Sequence, residues 1–295
     1  MLNEQPPERR RPHPLEAPPP APAPILPSDA SQPRSTPVTL RIPAVKPTAT
    51  MILLAINVVV FAIRLISPDL DQQFFEWGAN NHNSVFFDGE FYRLLTSMFL
   101  HASTYSIRGS LALENSLHLI LNCYIIYVTG RQIEPLFGHI RFATIYLLGG
   151  ITGSIASALL SPPIVFSVGA SGAAFAILGA QFIYLYKHRR LLGAGGRAQM
   201  QSLISLAVIN LGFGLLSSVS SSGARIDNWA HIGGAVGGLV LAWFIAPFFL
   251  PRRHPDQPDA LIAEDINPLR SKTWAISLYV AALLVVLIIG SRVVV

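Results

Sequence analysis

Residues 228–250 read Asn228-Trp229-Ala230-His231-Ile232-Gly233-Gly234-Ala235-Val236-Gly237-Gly238-Leu239-Val240-Leu241-Ala242-Trp243-Phe244-Ile245-Ala246-Pro247-Phe248-Phe249-Leu250, without one Asp, Glu, Lys or Arg. A bilayer core about 30 Å thick takes roughly 20 mostly apolar residues of helix, so this stretch is long enough to span it. Six more such runs lie near 48–66, 112–130, 141–160, 168–187, 201–219 and 273–291. Breakers and charges separate them: Pro68-Asp69, Glu134-Pro135, Pro162-Pro163 and His188-Arg189-Arg190. The pattern predicts an all-α polytopic membrane protein.

Composition agrees. Of 295 residues, 51% are hydrophobic and 13% charged, where a soluble domain carries about 25% charge. Fourteen of the 23 prolines fall in residues 1–47, which string Pro, Ala, Ser and Arg together without an apolar period. That composition suits extended, solvated backbone, so residues 1–47 read as a disordered tail. The domains expected are this tail, a six-span core over 48–250, a linker over 251–272 and a further transmembrane helix over 273–295. Glu4, Glu8, Glu16 and the prolines argue against an amphipathic presequence, and no apolar stretch follows the start as in a secretory signal. The single cysteine, Cys123, excludes an internal disulfide and a cysteine-based metal site.

Charge sets the orientation. With the tail cytoplasmic, sixteen of the 21 Lys and Arg fall on the cytoplasmic side, leaving Arg64, Arg93, Arg108, Arg225 and Arg292 outside. The positive-inside rule then places the amino terminus in the cytoplasm and the carboxyl terminus out. The net charge of +5 is accounted for by orientation and anionic lipid, so no nucleic-acid partner is expected. The long loop at 67–111, with Phe74, Phe75, Trp77 and Phe86-Phe87, is expected to lie partly in the outer interface.

Polar groups inside the spans are costly without partners or a function. The second span carries His118 and Asn122, four residues apart and so on one helical face. The fourth carries Ser171 in Val168-Gly169-Ala170-Ser171-Gly172-Ala173, and the sixth carries His231. All three helices start on the outer side, and each polar residue lies within about two turns of that end. Gly172 and Gly179 on one helix, and the small-xxx-small pair Gly234 and Gly238 on the other, allow close approach.

A serine needs a base to take its proton and donors to hold the developing oxyanion. Taken singly, Ser171 reads as a packing residue and His118 or Asn122 as interhelical glue; a lone His231 is as well explained by a satisfied histidine. At matching depth, the four together favour hydrolysis. Asp227, one turn before His231, could be a third catalytic group, but the preferred reading is that Asp227 or Asn228 caps the sixth helix. No His-Glu-x-x-His and no intramembrane aspartate pair occur, and Ala173 breaks Gly-x-Ser-x-Gly, so zinc, aspartyl and nucleophile-elbow chemistries are excluded. No metal or other cofactor is expected.

With these motifs in order, the chain resembles the rhomboid intramembrane serine proteases over roughly residues 50–250. The resemblance rests on Gly169 to Gly172, His118 to Asn122, Ala230 to Gly234 and the loop from Glu90 to His101. It implies a rhomboid-like six-helix core, a Ser171–His231 dyad, and an oxyanion hole lined by His118, Asn122 and the Ser171 N–H. Transmembrane protein substrates would enter laterally past the fifth span and the loop Ser220 to Asp227. Tyr92-Arg93 stands where the family has Trp-Arg, and Thr104 to Asn115 intervene as an insertion before His118. The seventh span gives the six-plus-one layout, and a bacterial plasma membrane is the expected location. An inactive rhomboid-like protein that binds client helices is the main alternative. A small transporter comes after it, since paired broken helices are not found in the sequence.

Overall fold

The computed structural model describes residues 40–41, 44–103, 105, 116–219, 226–253 and 260–293, all within the compact unit Thr39–Val295. The tail up to residue 39, most of the 104–115 insertion and the loop residues 220–225 lie outside the described residues. Ten α-helical elements are present among the described residues: α1 (Thr48–Arg64), α2 (Pro68–Gly78), α3 (His82–Phe86), α4 (Arg93–Thr96), α5 (Ser116–Phe137), α6 (His139–Leu160), α7 (Ser171–Lys187), α8 (Arg189–Val219, kinked at Gly193 where φ is +54°), α9 (Asn228–Ile245) and α10 (Thr273–Val293). The seven long ones follow the seven apolar runs. By length and composition, four stretches are able to cross a membrane: His139–Leu160, Arg189–Ser217, Asn228–Ile245 and Leu269–Arg292. The result is an all-α polytopic membrane fold, with six core helices and a seventh at the carboxyl end.

Helix α7 is the axis of the bundle. Thirteen of its 17 residues are buried, as expected of a helix that is apolar all round. Helices α6 and α9 lie against it with almost no side chain between them. A Cβ on Gly238 would stand 1.9 Å from the Ala176 carbonyl oxygen, and one on Gly149 would stand 2.3 Å from the Ala176 Cβ. Without a hydrophobic driving force between helices in lipid, such contact by small residues supplies the association energy. Outward faces carry exposed apolar residues, among them Val208, Ile209 and Phe213 on α8 and Leu284 and Ile288 on α10. Apolar belts of this kind suit a hydrocarbon surrounding. Helix α8 is the most loosely held span, with 6% of its apolar window buried against 50% for α6 and α9.

Helix boundaries differ from the sequence expectation where local chemistry intervenes. The fourth span was expected from 168, but α7 starts at Ser171, because Gly169 adopts φ +128°, outside helical space. The sixth was expected to run to 250, but α9 ends at Ile245: Ala246 precedes Pro247 and is extended, with ψ 141°. Glu134-Pro135 was expected to end the second span, yet α5 continues to Phe137. Glu134 points inward and caps α1, its two oxygens accepting from the Ala49 and Thr50 N–H groups at 2.7 Å each and from Thr50 Oγ1 at 2.6 Å. A carboxylate there satisfies orphan donors and suits the positive end of the helix dipole.

Short strands join the helical framework. Strands β2 (Asn80–Asn81) and β3 (Phe166–Ser167) pair antiparallel, and Asn80 Nδ2 donates to the Ser154 carbonyl at 2.8 Å, tying the long loop to α6. At the other end of the bundle, β1 (Leu40–Arg41) runs parallel to β5 (Leu261–Asp265), which pairs antiparallel with β4 (Phe249–Arg253). The end of the segment read as an unpacked tail is thus engaged by the linker. Arg141 anchors that sheet through Asp265 at 2.7 Å. Helix α10 rests on α6 and α9, where Tyr279 and Thr152 share a 2.5 Å hydrogen bond and Trp274 meets Phe244 edge-on.

Candidate active site

Ser171 opens α7. Gly169 and Ala170 turn the chain from β3 into the helix, and the Gly169 N–H donates to the Ser97 carbonyl at 2.9 Å. The first N–H groups of α7 have no acceptor within their own helix, as at any helix start. Of the two candidate caps, Asp227 is the one that caps α9, accepting from the Ala230 N–H at 3.0 Å. Its other oxygen accepts from Ser157 on α6 and Ser167 on β3, each at 2.5 Å. One carboxylate therefore fastens the start of α9 to α6 and to the strand leading into Ser171.

The two helix starts are in backbone contact. A Cβ on Gly234 would lie 2.0 Å from the Gly172 carbonyl oxygen, and one on Gly172 would lie 3.2 Å from the Ala230 carbonyl oxygen. Ser171 neighbours Gly172 and His231 neighbours Ala230, so the two residues belong to adjoining helix starts. The His231 ring lies flat on Phe175, with centroids 4.3 Å apart and planes 7° from parallel. Phe175 stands four residues after Ser171, on the same face of α7, a spacing that the sequence analysis did not single out. His231 is buried, and its Nδ1 has no hydrogen-bond partner among the described residues. With Asp227 engaged elsewhere, no carboxylate among the described residues is hydrogen-bonded to the ring.

His118 and Asn122 stand together on α5 and reach the same place. A Cβ on Gly169 would lie 2.9 Å from His118 Nε2 and 3.6 Å from Asn122 Nδ2, so only glycine leaves them room. Asn122 Nδ2 donates to the His118 carbonyl at 2.9 Å, which sets the side chain along the helix. His118 Nδ1 accepts from the Ala102 N–H at 3.4 Å, and His101 packs edge-on to the ring at 5.3 Å. His118 and Asn122 therefore flank Gly169, two residues before Ser171, while His231 meets α7 through Phe175. Among the described residues no group of three or more His, Cys, Asp or Glu is arranged to hold a metal ion.

The loop before α5 is built on polar contacts that the sequence pattern did not single out. Arg93 donates to Glu90 at 2.5 Å and to the Ala79 carbonyl at 3.0 Å, while Tyr92 stacks on Trp77 with centroids 5.2 Å apart. Tyr92 thus keeps the anchoring ring at that position. Arg93 holds the Glu90 carboxyl below its ordinary range. Arg64, the last residue of α1, is buried against Asp71 of α2 at 2.6 Å. An arginine at the end of an apolar run followed by two aspartates was the available signal.

A family model described as Rhomboid domain matches residues 88–248. The chain belongs to the rhomboid family. It is 35% identical over 199 residues to Rhomboid protease GluP of Bacillus subtilis (strain 168), covering 67% of this chain and 34% of that protein. RHOMBOID-like protein 6, mitochondrial, of Arabidopsis thaliana is 35% identical over 168 residues, covering 57% and 48%. Inactive rhomboid protein 1 of Rattus norvegicus is 35% identical over 159 residues, covering 54% and 16%. The chain thus spans less than half the length of each of these relatives. Names that include both a protease and an inactive protein leave the family's chemistry to be decided by the site.

Proposed function

We propose that this chain is an intramembrane serine endopeptidase that hydrolyses peptide bonds in or near the transmembrane helices of other membrane proteins. The observation that carries this reading is the contact of Gly172 with Gly234 and Ala230, which makes neighbours of the serine and the histidine at two helix starts. His231 takes the proton from Ser171 Oγ as that oxygen attacks the scissile carbonyl. The oxyanion is held by the Ser171 N–H and by His118 and Asn122. Collapse expels the amine with the proton from His231 and leaves an ester on Ser171. Water, deprotonated by His231, then releases the acid and restores the serine.

Depth suits a substrate that lies in lipid. Helix α7 has 17 residues, about 26 Å of helix against a core of about 30 Å, so Ser171 lies inside the slab when Lys187 is at the far interface. A substrate helix must unwind before its carbonyl can be reached, which favours small or helix-breaking residues at the cut. The distribution of basic residues supports an amino terminus in the cytoplasm and a site near the outer face, and the proposed location is a bacterial plasma membrane.

Kinship with inactive rhomboid protein 1 supports the second reading, a client-binding protein without turnover. The two separate in one assay. Purified wild type and Ser171→Ala are incubated with a single-span model substrate in proteoliposomes, and a fluorophosphonate probe is used to label the serine. Cleavage and labelling of the wild type alone are expected; equal cleavage by both, or none by a folded wild type, would remove the protease reading.

A further inference from the structure

Arg64 and Asp71 form a buried ion pair with no place in the chemistry above. Arg64 is 1% and Asp71 3% exposed, and the guanidinium Nη2 lies 2.6 Å from Asp71 Oδ1. Pairs like this add little net stability over apolar side chains of the same volume, because both ions lose their hydration. Its value is better sought in what the two charges hold. Arg64 Nη1 donates to the His101 carbonyl at 2.6 Å, and Asp71 Oδ2 accepts from the Ser103 hydroxyl. The Tyr105 hydroxyl donates to the Leu65 carbonyl at 2.7 Å. The residues on both sides of Ala102 are thus gripped by one ion pair.

Between those grips, the Ala102 N–H faces His118 Nδ1 at 3.4 Å. An amide N–H can only donate, so that ring nitrogen must present a lone pair. The proton of the neutral ring is then on Nε2, the nitrogen beside Gly169. Nε2–H is the form able to donate to an oxyanion at the Gly169–Ser171 turn; the other tautomer would turn a lone pair towards it. We infer that Arg64 and Asp71 are positioning residues that hold the 101–103 segment so that its backbone fixes the catalytic tautomer of His118. This inference rests on the proposed role of His118 as an oxyanion donor.

The double variant Arg64→Met/Asp71→Leu replaces the pair with apolar side chains and retains packing at that point. Wild type and variant, uniformly labelled with ¹⁵N-histidine, are compared in proteoliposomes by ¹⁵N spectroscopy, with His118 assigned by its loss in His118→Gln. Cleavage of the single-span substrate is measured in parallel. Wild-type His118 is expected to be protonated on Nε2 alone, and the variant to show a mixture, with kcat lowered about tenfold to a hundredfold and KM unchanged. A wild-type His118 protonated on Nδ1 would overturn the inference. So would a folded variant with wild-type tautomer and kcat. If the double variant does not fold, Asp71→Asn is used, and the wild-type spectrum still decides the tautomer. Absence of cleavage by the wild type would count against the protease reading, whereas the spectrum tests the relay independently.

Discussion

Gly234 packs onto the backbone of Gly172, so close that a Cβ on it would lie 2.0 Å from the Gly172 carbonyl oxygen. Backbone cannot swing aside as a flexible side chain does, so Gly234→Ala must push α9 away from α7. Overpacking of this kind costs about 1–3 kcal/mol. Because His231 sits one turn before Gly234, the same movement draws the proposed base away from Ser171, and misplacement by about 1 Å can cost about a hundredfold in rate. We predict a lower melting temperature and a kcat loss of that order for Gly234→Ala. Gly212→Ala, whose Cβ would meet nothing within 4 Å, is the matched control and should leave both unchanged.

Asp227 separates a dyad from a triad. Its oxygens are occupied by Ser157, Ser167 and the Ala230 N–H. Asp227→Asn keeps a good N-cap, so kcat should fall by no more than a few fold, whereas an aspartate that orients a catalytic histidine is worth about 10⁴. Asp227→Ala loses the cap and leaves two hydroxyls without their acceptor. That should cost about 2–4 kcal/mol, measured by denaturation in detergent.

The two glycine pairs and the four polar residues were legible because each breaks a rule of its surroundings. An apolar span has no ordinary use for Ser171, His231, His118 and Asn122 at one depth, and apolar runs of about 20 residues locate seven helices. What escaped depends on tertiary pairing. Glu134 looks like a helix breaker beside Pro135, and only the position of α1 shows that it caps Ala49 and Thr50. The start of α7 was misplaced because hydropathy ignores a single φ, that of Gly169. Strands β1, β4 and β5 are too short, and too polar in part, for a period of two to register. The Arg64–Asp71 pair spans a turn that has no spacing rule at all.

Stability should depend on acid through His101. The residue is fully buried in the loop, and burial, with the nearby His118 and Arg64, lowers its pKa from the usual 6.5 to about 3. Between those values the unfolded chain binds a proton that the folded chain does not, so stability rises with pH across that window and falls as pH drops through it. The slope is at most about 1.4 kcal/mol per pH unit for one group. His101→Leu should melt less steeply with acidification between pH 6.5 and 4 than the wild type, in melting curves recorded at half-unit steps. Parallel curves for the two proteins would show that His101 does not titrate on unfolding.

Under the proposed function, a substrate helix reaches Ser171 only if one span yields, and α8 is less buried than α6, α9 or α10. Near the site it is held to α9 by Asn228, whose Nδ2 donates to the Leu211 carbonyl at 3.1 Å. A Cβ on Gly214 would lie 2.5 Å from Asn228 Cγ, so cysteines at 214 and 228 fall within disulfide reach once Asn228 Cγ is replaced by sulfur. In a Cys123→Ala background, Gly214→Cys/Asn228→Cys is expected to lose cleavage of a membrane-embedded substrate when oxidised and to regain it on reduction. A small soluble ester, which needs no opening between spans, should be hydrolysed at the same rate in both states. If the oxidised enzyme cut the membrane substrate as fast as the reduced one, substrate would have to reach Ser171 by a route that leaves α8 and α9 together.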